Sequence, residues 1–297
     1  FLEDLNKGFM RGRQKVGKQV YQKFEKMLID KLNFLVDKKA DIESVGGLLN
    51  AYQLTNKLES FKNLGKQSGF LFYIPAWKTS NIDPVTGFVN LLDTRSQNAK
   101  AFFDKFDSIR YNKEKDWFEF ALDYNNFGNK AEGTKTKWTL CTQGKRIKTF
   151  RKAEKNSNWD YQIIDLTKEL KQLFAHYDID INGNLKKAIS NQTEKTFFVE
   201  LMQLLKLTLQ MRNSITNTET DYLVSPVADE NGNFYDSRKC GSSLPENADA
   251  NGAFNIARKG LMIIEQIKAS DDLSKLKFDI SNKSWLNFAQ QKPYKHE

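Results

Sequence analysis

The sequence predicts an α/β chain in which the two ends form one domain and the middle forms a second, inserted α+β domain. Three patterns support this prediction. A strand-like segment with acidic residues opens the chain at 1–6, short strand patterns and one clear helical pattern occupy the middle, and a late helical pattern begins near Asn247. With 297 residues, the chain is long enough for two modest domains that each have a core.

The composition favours nucleic acid as a partner. The chain carries 46 Lys and Arg residues against 37 Asp and Glu residues, a net charge of +9, and 12% of its residues are aromatic. This balance suits a polyanionic partner and is too apolar for a disordered chain. The two cysteines and two histidines are too scattered for a zinc site of local ligands, so reduced thiols are expected. No run of about 18 apolar residues occurs, which predicts a soluble, cytoplasmic protein without membrane contact.

The first part of the chain, 1–76, has a helical and a strand-like pattern. Apolar residues at helical spacing from Val16 to Val36, with lysines between them, predict a long amphipathic helix. The apolar run Phe70–Pro75 predicts a buried strand that a proline ends. The turn-forming residues at 83–87 follow at once, and a domain boundary is therefore placed at Trp77.

The residue patterns of the middle region predict three strands, which are Trp117–Asp123, Lys137–Cys141 and Lys145–Arg151. The last of them alternates basic with apolar residues. Such a strand presents nucleic acid with a basic face, or it is a charged edge strand that prevents aggregation. The sequence leaves both interpretations open.

A helical stripe in the middle region ends in a cation. The pattern from Phe197 to Arg212 predicts a helix, and Arg212 is the last member of its apolar stripe. Arg212 then either interacts with the negative end of the helix dipole, worth ~0.3–1 kcal/mol, or clamps a phosphate. The strand patterns Asp221–Val227 and Phe234–Arg238 flank an Asn-Gly pair and predict a hairpin. Asp221, Arg238 and Arg212 are therefore expected to converge.

Two acidic residues at the chain ends suggest metal chemistry. Asp249 opens a helix whose small and apolar face is expected to consist of Ala253, Ile256, Ala257, Gly260, Leu261 and Ile264. Asp249 or Asn247 is then a helix N-cap, worth ~1 kcal/mol, or Asp249 holds a metal ion. Glu3 ends the first strand pattern. An acid ending a strand and another opening a late helix match nucleases of the retroviral-integrase or RNase H-like type, in which two divalent ions ~3.5–4 Å apart need hard oxygen ligands.

Blocks of sequence occur along the chain in this order: Glu3–Asn6, Lys18–Leu28, Ala51–Thr55, Pro84–Val89, Leu209–Ser214 and Ala248–Ala253. Together they resemble the type V-A CRISPR-associated effector endonucleases, the Cas-twelve-a family that was formerly called Cpf-one. The resemblance extends over essentially all of this chain and corresponds to the C-terminal quarter or so of such an effector.

The resemblance implies an incomplete RNase H-like RuvC domain, formed by the two chain ends and interrupted by an inserted α+β Nuc domain. Residues 1–76 resemble the second RuvC part, with a lid at 7–18. Residues 77–246 resemble the Nuc domain, and residues 247–297 resemble the third RuvC part.

The resemblance also implies roles for four residues. Glu3 and Asp249 match carboxylates that hold Mg²⁺, for which Mn²⁺ can substitute. Arg212 matches an arginine needed for cleavage, and Asp221 matches a nearby supporting acid.

The implied activity is metal-dependent hydrolysis of DNA by an RNA-guided endonuclease. The implied partners are a CRISPR guide RNA, target DNA and the remaining N-terminal part of the same protein, in a monomeric effector of the prokaryotic cytoplasm. The family's first RuvC acid precedes Phe1, so this chain alone is expected to bind Mg²⁺ poorly and to cut poorly. The alternative is a non-catalytic nucleic-acid-binding or scaffold module, in which Glu3 and Asp249 only cap and pair.

Overall fold

The computed structural model describes residues 2–4, 20, 23–24, 26–28, 34–37, 39–53, 73–95, 98–128, 134–151, 159–215, 219–241, 243–271 and 280–291. The fold is mixed α/β, with helices and small sheets of two or three strands. The chain divides into two compact units, of which the first comprises Phe1–Trp77 with Asn255–Ile280 and the second Lys78–Phe254 with Ser281–Glu297. The assignment of segments to RuvC and Nuc domains stays a prediction.

The first unit contains two short strand pairs. Strand β1 (Leu2–Asp4) runs parallel to β4 (Tyr73–Pro75), and β2 (Phe34–Leu35) runs antiparallel to β3 (Tyr52–Gln53). The predicted helix from Val16 to Val36 is helical at the described residues 20, 23–24 and 26–28, and the rest of it up to residue 33 lies outside the described residues. The prediction is wrong at its C-terminal end, because Phe34 and Leu35 pair with a strand distant in sequence.

The second unit is built around a three-stranded antiparallel meander. Its strands are β5 (Ser108–Asn112), β6 (Trp117–Asp123) and β7 (Lys137–Cys141), in that order, which confirms the second and third as predicted strands. Helix α1 (Ala99–Asp104) precedes them. Buried aromatic side chains from these elements and from the connection between α1 and β5 form much of the core, and they include Phe102, Phe103, Phe106, Phe118 and Phe120.

Three helices cover this core. They are α2 (Leu166–His176), α3 (Leu185–Asn191) and α4 (Lys195–Thr208). Asp165 caps α2 by accepting a hydrogen bond from the Lys168 amide, and Asn184 caps α3 in the same way through Lys187. The helix predicted from Phe197 to Arg212 is confirmed up to Thr208 and is wrong beyond it, because Arg212 begins a strand.

Two further strand groups complete the sheets of the second unit. Strand β8 (Lys145–Arg151) pairs with β9 (Trp159–Asp165), and β11 (Asp221–Ala228) lies between β10 (Arg212–Ser214) and β12 (Phe234–Asp236). The predicted strand at β8 and the predicted hairpin are confirmed. Arg146, however, is fully buried, so the predicted basic face of β8 lacks this arginine.

The last two helices are α5 (Ala248–Ala269) and α6 (Asn282–Gln291). The predicted start of α5 is confirmed, but its predicted packing face is wrong in part. Ala253, Ala257 and Leu261 are exposed, whereas polar side chains such as Asn251 and Lys259 are buried because they donate hydrogen bonds to backbone carbonyls. No helix in the described part of the chain has the length and apolar character to cross a membrane.

Candidate functional site

Arg212 is the first residue of strand β10. Helix α4 ends at Thr208, whose hydroxyl donates to the Leu204 carbonyl, and the chain then turns into the strand that pairs with β11. The basic residue in the last turn of α4 is Lys206. The interpretation of Arg212 as a charge that interacts with the helix dipole is therefore wrong, because that effect is confined to the last turn of a helix.

Arg212 binds Asp221 through two hydrogen bonds. Arg212 Nε donates to Asp221 Oδ1 at 2.9 Å, and Arg212 Nη2 donates to Asp221 Oδ2 at 3.0 Å. In the antiparallel register, Ser214 lies opposite Asp221 and Arg212 lies opposite Leu223, so the two partners are diagonal neighbours across the strand pair. A two-pronged arginine–carboxylate pair fixes the plane of the guanidinium as well as its position. The Arg212 side chain is still 43% exposed.

Asp249 reaches the same guanidinium from the start of α5. Its Oδ1 atom lies 3.4 Å from Arg212 Nη1, and its side chain is 85% exposed. The capping oxygen of α5 comes from Asn247, whose Oδ1 accepts a hydrogen bond from the Ala250 amide at 2.9 Å. Of the two N-cap candidates in the sequence, the structure thus selects Asn247, and the Asp249 carboxylate is available for other contacts in the first helical turn.

The start of α5 is anchored by Asn251. Its fully buried side chain donates to the carbonyls of Ser80 at 3.2 Å and Ile82 at 2.9 Å. This anchor holds the helical turn that carries Asp249. Asn251 was not among the residues that the sequence patterns indicated, although an asparagine between Ala250 and Gly252 inside a helix is a signal for such a polar contact.

Arg238 does not join Arg212 and Asp221 as the sequence suggested. It donates to both carboxylate oxygens of Asp236, at 2.9 and 2.7 Å, and lies 4.1 Å from the centre of the Tyr222 ring. The reason is strand alternation, because Tyr222 and Asp221 project from opposite faces of β11. Burial alone raises the pKa of Asp236, but the hydrogen bonds and charge of Arg238 outweigh it and hold that pKa below its ordinary value.

Glu3 lies in β1, opposite Ile74 of β4. Its side chain and the lid predicted at 7–18 are outside the described residues, so a shared site of Glu3 and Asp249 stays a prediction. Within the described part of the chain, no group of three or more His, Cys, Asp or Glu side chains is arranged to hold a metal ion. Among the described residues around Arg212, Asp249 contributes an exposed carboxylate. These residues do not by themselves complete a Mg²⁺ site.

Comparison with known protein families places Arg212 and Asp221 within a nuclease domain. The model of the NUC family, described as a nuclease domain, matches residues 82–239, which is more than half of the chain. The matched region contains the pair of Arg212 and Asp221, and Asp249 follows shortly after its end. The chain belongs to the NUC family of nuclease domains.

Proposed function

We propose that this chain is the DNA-cleaving part of an RNA-guided endonuclease that hydrolyses phosphodiester bonds. The observation that carries the proposal is the placement of Arg212. Its guanidinium is held by Asp221, lies 3.4 Å from Asp249 and remains partly exposed in a nuclease-family domain. The resemblance of the sequence blocks to the type V-A effectors adds the guide RNA and the DNA target to the proposal.

The guanidinium suits a role at a phosphate. Arginine carries five N–H donors in one plane, and Asp221 accepts hydrogen bonds from only two nitrogens of Arg212. The remaining donors can bind phosphate oxygens and neutralise the charge that develops on them during hydrolysis. In this proposal Asp221 orients the arginine, and Arg212 steadies the scissile phosphate or the strand that enters the site.

The proposal includes Mg²⁺, held by Glu3 and Asp249, with Mn²⁺ as a substitute. When bound, such an ion supplies an activated water molecule and neutralises charge on the phosphate. The contribution of Arg212 is independent of how the ion is held, because a guanidinium binds phosphate oxygens directly. Sequence specificity is proposed to come from pairing between the guide RNA and the target strand.

A second candidate function is a non-catalytic nucleic-acid-binding or scaffold module. Two contacts favour it, because an arginine between the carboxylates of Asp221 and Asp249 is also what a structural ion-pair network contains. The net charge of +9 suits DNA binding in either case.

One reconstitution separates the two candidates. The chain is mixed with the upstream polypeptide of the effector, guide RNA, labelled target DNA and Mg²⁺, and cleavage is followed on a gel. Cleavage that Asp249→Ala abolishes supports the nuclease. DNA binding without cleavage, at equal affinity for the original chain and the Asp249→Ala variant, supports the scaffold.

A further inference from the structure

The segment that carries Arg212 is held on both sides. On one side, β10 pairs with β11 through the backbone register already described. On the other side, side-chain hydrogen bonds connect it to β8. Arg146 Nε donates to the Gln210 carbonyl at 3.1 Å, Gln210 Nε2 donates to the Ile147 carbonyl at 2.9 Å, and the Ile147 amide donates to Asn213 Oδ1 at 2.9 Å. Side chains thus replace a backbone ladder between the two strands.

Asn213 is at the centre of these contacts. It is fully buried, and its Oδ1 atom accepts from Gln210 Nε2 at 3.3 Å as well as from the Ile147 amide. Its Nδ2 atom donates to the Met211 carbonyl at 2.9 Å. Asn213, which follows Arg212, therefore bonds to Gln210 and Met211, which precede it, and to Ile147 of β8. Loss of its acceptor leaves the Ile147 amide without its partner in a buried position.

Arg146 contributes from β8. Its guanidinium is fully buried and donates to the carbonyls of Gln143 at 3.2 Å, Lys145 at 3.3 Å and Gln210 at 3.1 Å. Burial lowers the pKa of Arg146 to about 10, so the side chain is still charged at neutral pH. Its Nη2 atom is buried without a hydrogen-bond partner among the described residues.

A buried arginine side chain costs free energy. Its charge loses hydration, and an apolar side chain of similar volume is often as stable or more stable in such a position. Stability alone therefore gives no reason for a guanidinium at Arg146. A geometric role explains the guanidinium, because the planar donors of Arg146 fix the Gln143–Lys145 turn and the Gln210 carbonyl at the same time.

We propose that Arg146, Gln210 and Asn213 are positioning residues for Arg212. They fix the backbone of the segment on the β8 side, so that the guanidinium of Arg212 meets Asp221 with both hydrogen bonds formed. Misplacement of a reacting group by about 1 Å can slow an enzyme ~10²-fold, which gives such a network a functional value. This inference rests on the proposed role of Arg212 in cleavage.

The test compares single and double variants in the reconstituted effector with guide RNA and target DNA. Asn213→Ala is expected to lower kcat about 10- to 100-fold, with KM changed by less than about twofold, because it acts through Arg212 on the chemical step. The double variant Arg212→Ala/Asn213→Ala is then expected to be no slower than Arg212→Ala. A double variant slower by the full product of both effects would overturn the inference. Arg146→Met repeats the test from the β8 side.

Tyr124→Phe is the matched control for general destabilisation. It also removes one buried hydrogen bond from a side chain to a carbonyl in the same unit, the 2.6 Å contact between the Tyr124 hydroxyl and Val89. It is expected to cleave at the original rate. A loss of kcat as large as that of Asn213→Ala would show that the network effect is nonspecific.

Hydrogen exchange keeps this inference separate from the proposed function. In the complete effector, Asn213→Ala is expected to raise amide exchange in peptides that contain Ile147 and Arg212, whereas Tyr124→Phe leaves these peptides unchanged. Unchanged exchange in Asn213→Ala would refute the positioning role, whatever the cleavage rate. If instead Arg212→Ala cleaves normally while Asn213→Ala raises exchange, the proposed role of Arg212 fails and the structural connection stands.

Discussion

Arg212 and Asp221 form a two-pronged ion pair across two antiparallel strands, with N–O distances of 2.9 and 3.0 Å. The pair joins diagonal neighbours of β10 and β11, so the sheet register sets the direction of the guanidinium. That direction brings Arg212 Nη1 to 3.4 Å from Asp249 Oδ1 at the start of α5. The two strands β10 and β11 and the start of helix α5 therefore meet at one cation.

Arg212→Ala is expected to slow cleavage by ~10³-fold, as arginines that neutralise transferring phosphoryl groups do. The fold is expected to persist, because the Arg212 side chain is exposed for nearly half of its surface. The measurement is the single-turnover rate on labelled DNA, together with a thermal melting curve. Arg95→Ala is the control, since Arg95 forms an exposed ion pair with Asp93 elsewhere on the same unit. Equal rates for both variants would contradict the role of Arg212.

Asp221→Asn tests whether the carboxylate orients the arginine. The amide retains the size of the side chain but cannot accept two charge-assisted hydrogen bonds, so Arg212 loses its fixed plane. Cleavage is expected to fall about 10- to 100-fold, less than in Arg212→Ala. In the Arg212→Ala background, Asp221→Asn is expected to have no further effect on the single-turnover rate. A further loss of similar size would mean that Asp221 acts independently of Arg212.

Variants of Asn247 and Asp249 separate the effect of helix capping on stability from the effect on DNA cleavage. Asn247→Ala removes the hydrogen bond to the Ala250 amide and is expected to lower the free energy of unfolding by ~1 kcal/mol, with most of the cleavage activity retained. Asp249→Ala is expected to abolish cleavage with a smaller effect on stability, because its side chain is 85% exposed. Urea unfolding and the cleavage assay are measured on both variants. The opposite assignment of the two effects would make Asp249 a structural residue.

The environment of the Glu119 carboxylate predicts that the protein loses stability in acid. It is buried and accepts hydrogen bonds from Arg110 at 2.6 Å, Asn112 at 2.8 Å and Trp117 at 3.1 Å. Burial alone raises the pKa of Glu119, but the three hydrogen bonds together with the Arg110 charge outweigh it and hold that pKa below its ordinary value of 4.5. The ionised form is thus favoured by folding. This contribution is present above pH 4.5 and is lost as the pH falls through the lowered pKa, because the unfolded chain then binds more protons.

The measurement for Glu119 is urea unfolding at a series of pH values. Glu119→Gln is expected to lower the free energy of unfolding at neutral pH and to reduce its further loss below pH 4.5. If the curves of the original chain and the variant run parallel through this acid range, the carboxylate does not have the lowered pKa.

Several elements follow directly from local sequence patterns. Strands β6, β7 and β8, the hairpin of β11 and β12 and the start of α5 were all predicted at or near their observed positions. Their signals are local, since alternation, turn residues and caps act within a few neighbouring residues. The NUC match agrees with the nuclease interpretation of the sequence. The type V-A identity and the pairing of Glu3 with Asp249 stay predictions.

The errors have a common cause. The helical pattern that begins at Phe197 continues in sequence to Arg212, but the helix ends at Thr208 because the following residues bind β8 and β11. Arg146 belongs to the alternating basic and apolar pattern of β8, which predicted an exposed basic face. It is nevertheless buried, because it bonds to the Gln210 carbonyl. A periodic pattern contains no information about which distant segment will supply a hydrogen-bond partner.

The sequence by itself determined a basic, mixed α/β nuclease chain and identified Arg212, Asp221 and Asp249 as candidates. Only the tertiary structure decided that Asp221 holds Arg212, that Asn247 rather than Asp249 caps α5, and that Arg146 and Asn213 form hydrogen bonds between β8 and the segment that carries Arg212. The physical reason is that capping and alternation depend on near neighbours, whereas the partner of a charged side chain depends on strand register and on how helices and strands pack.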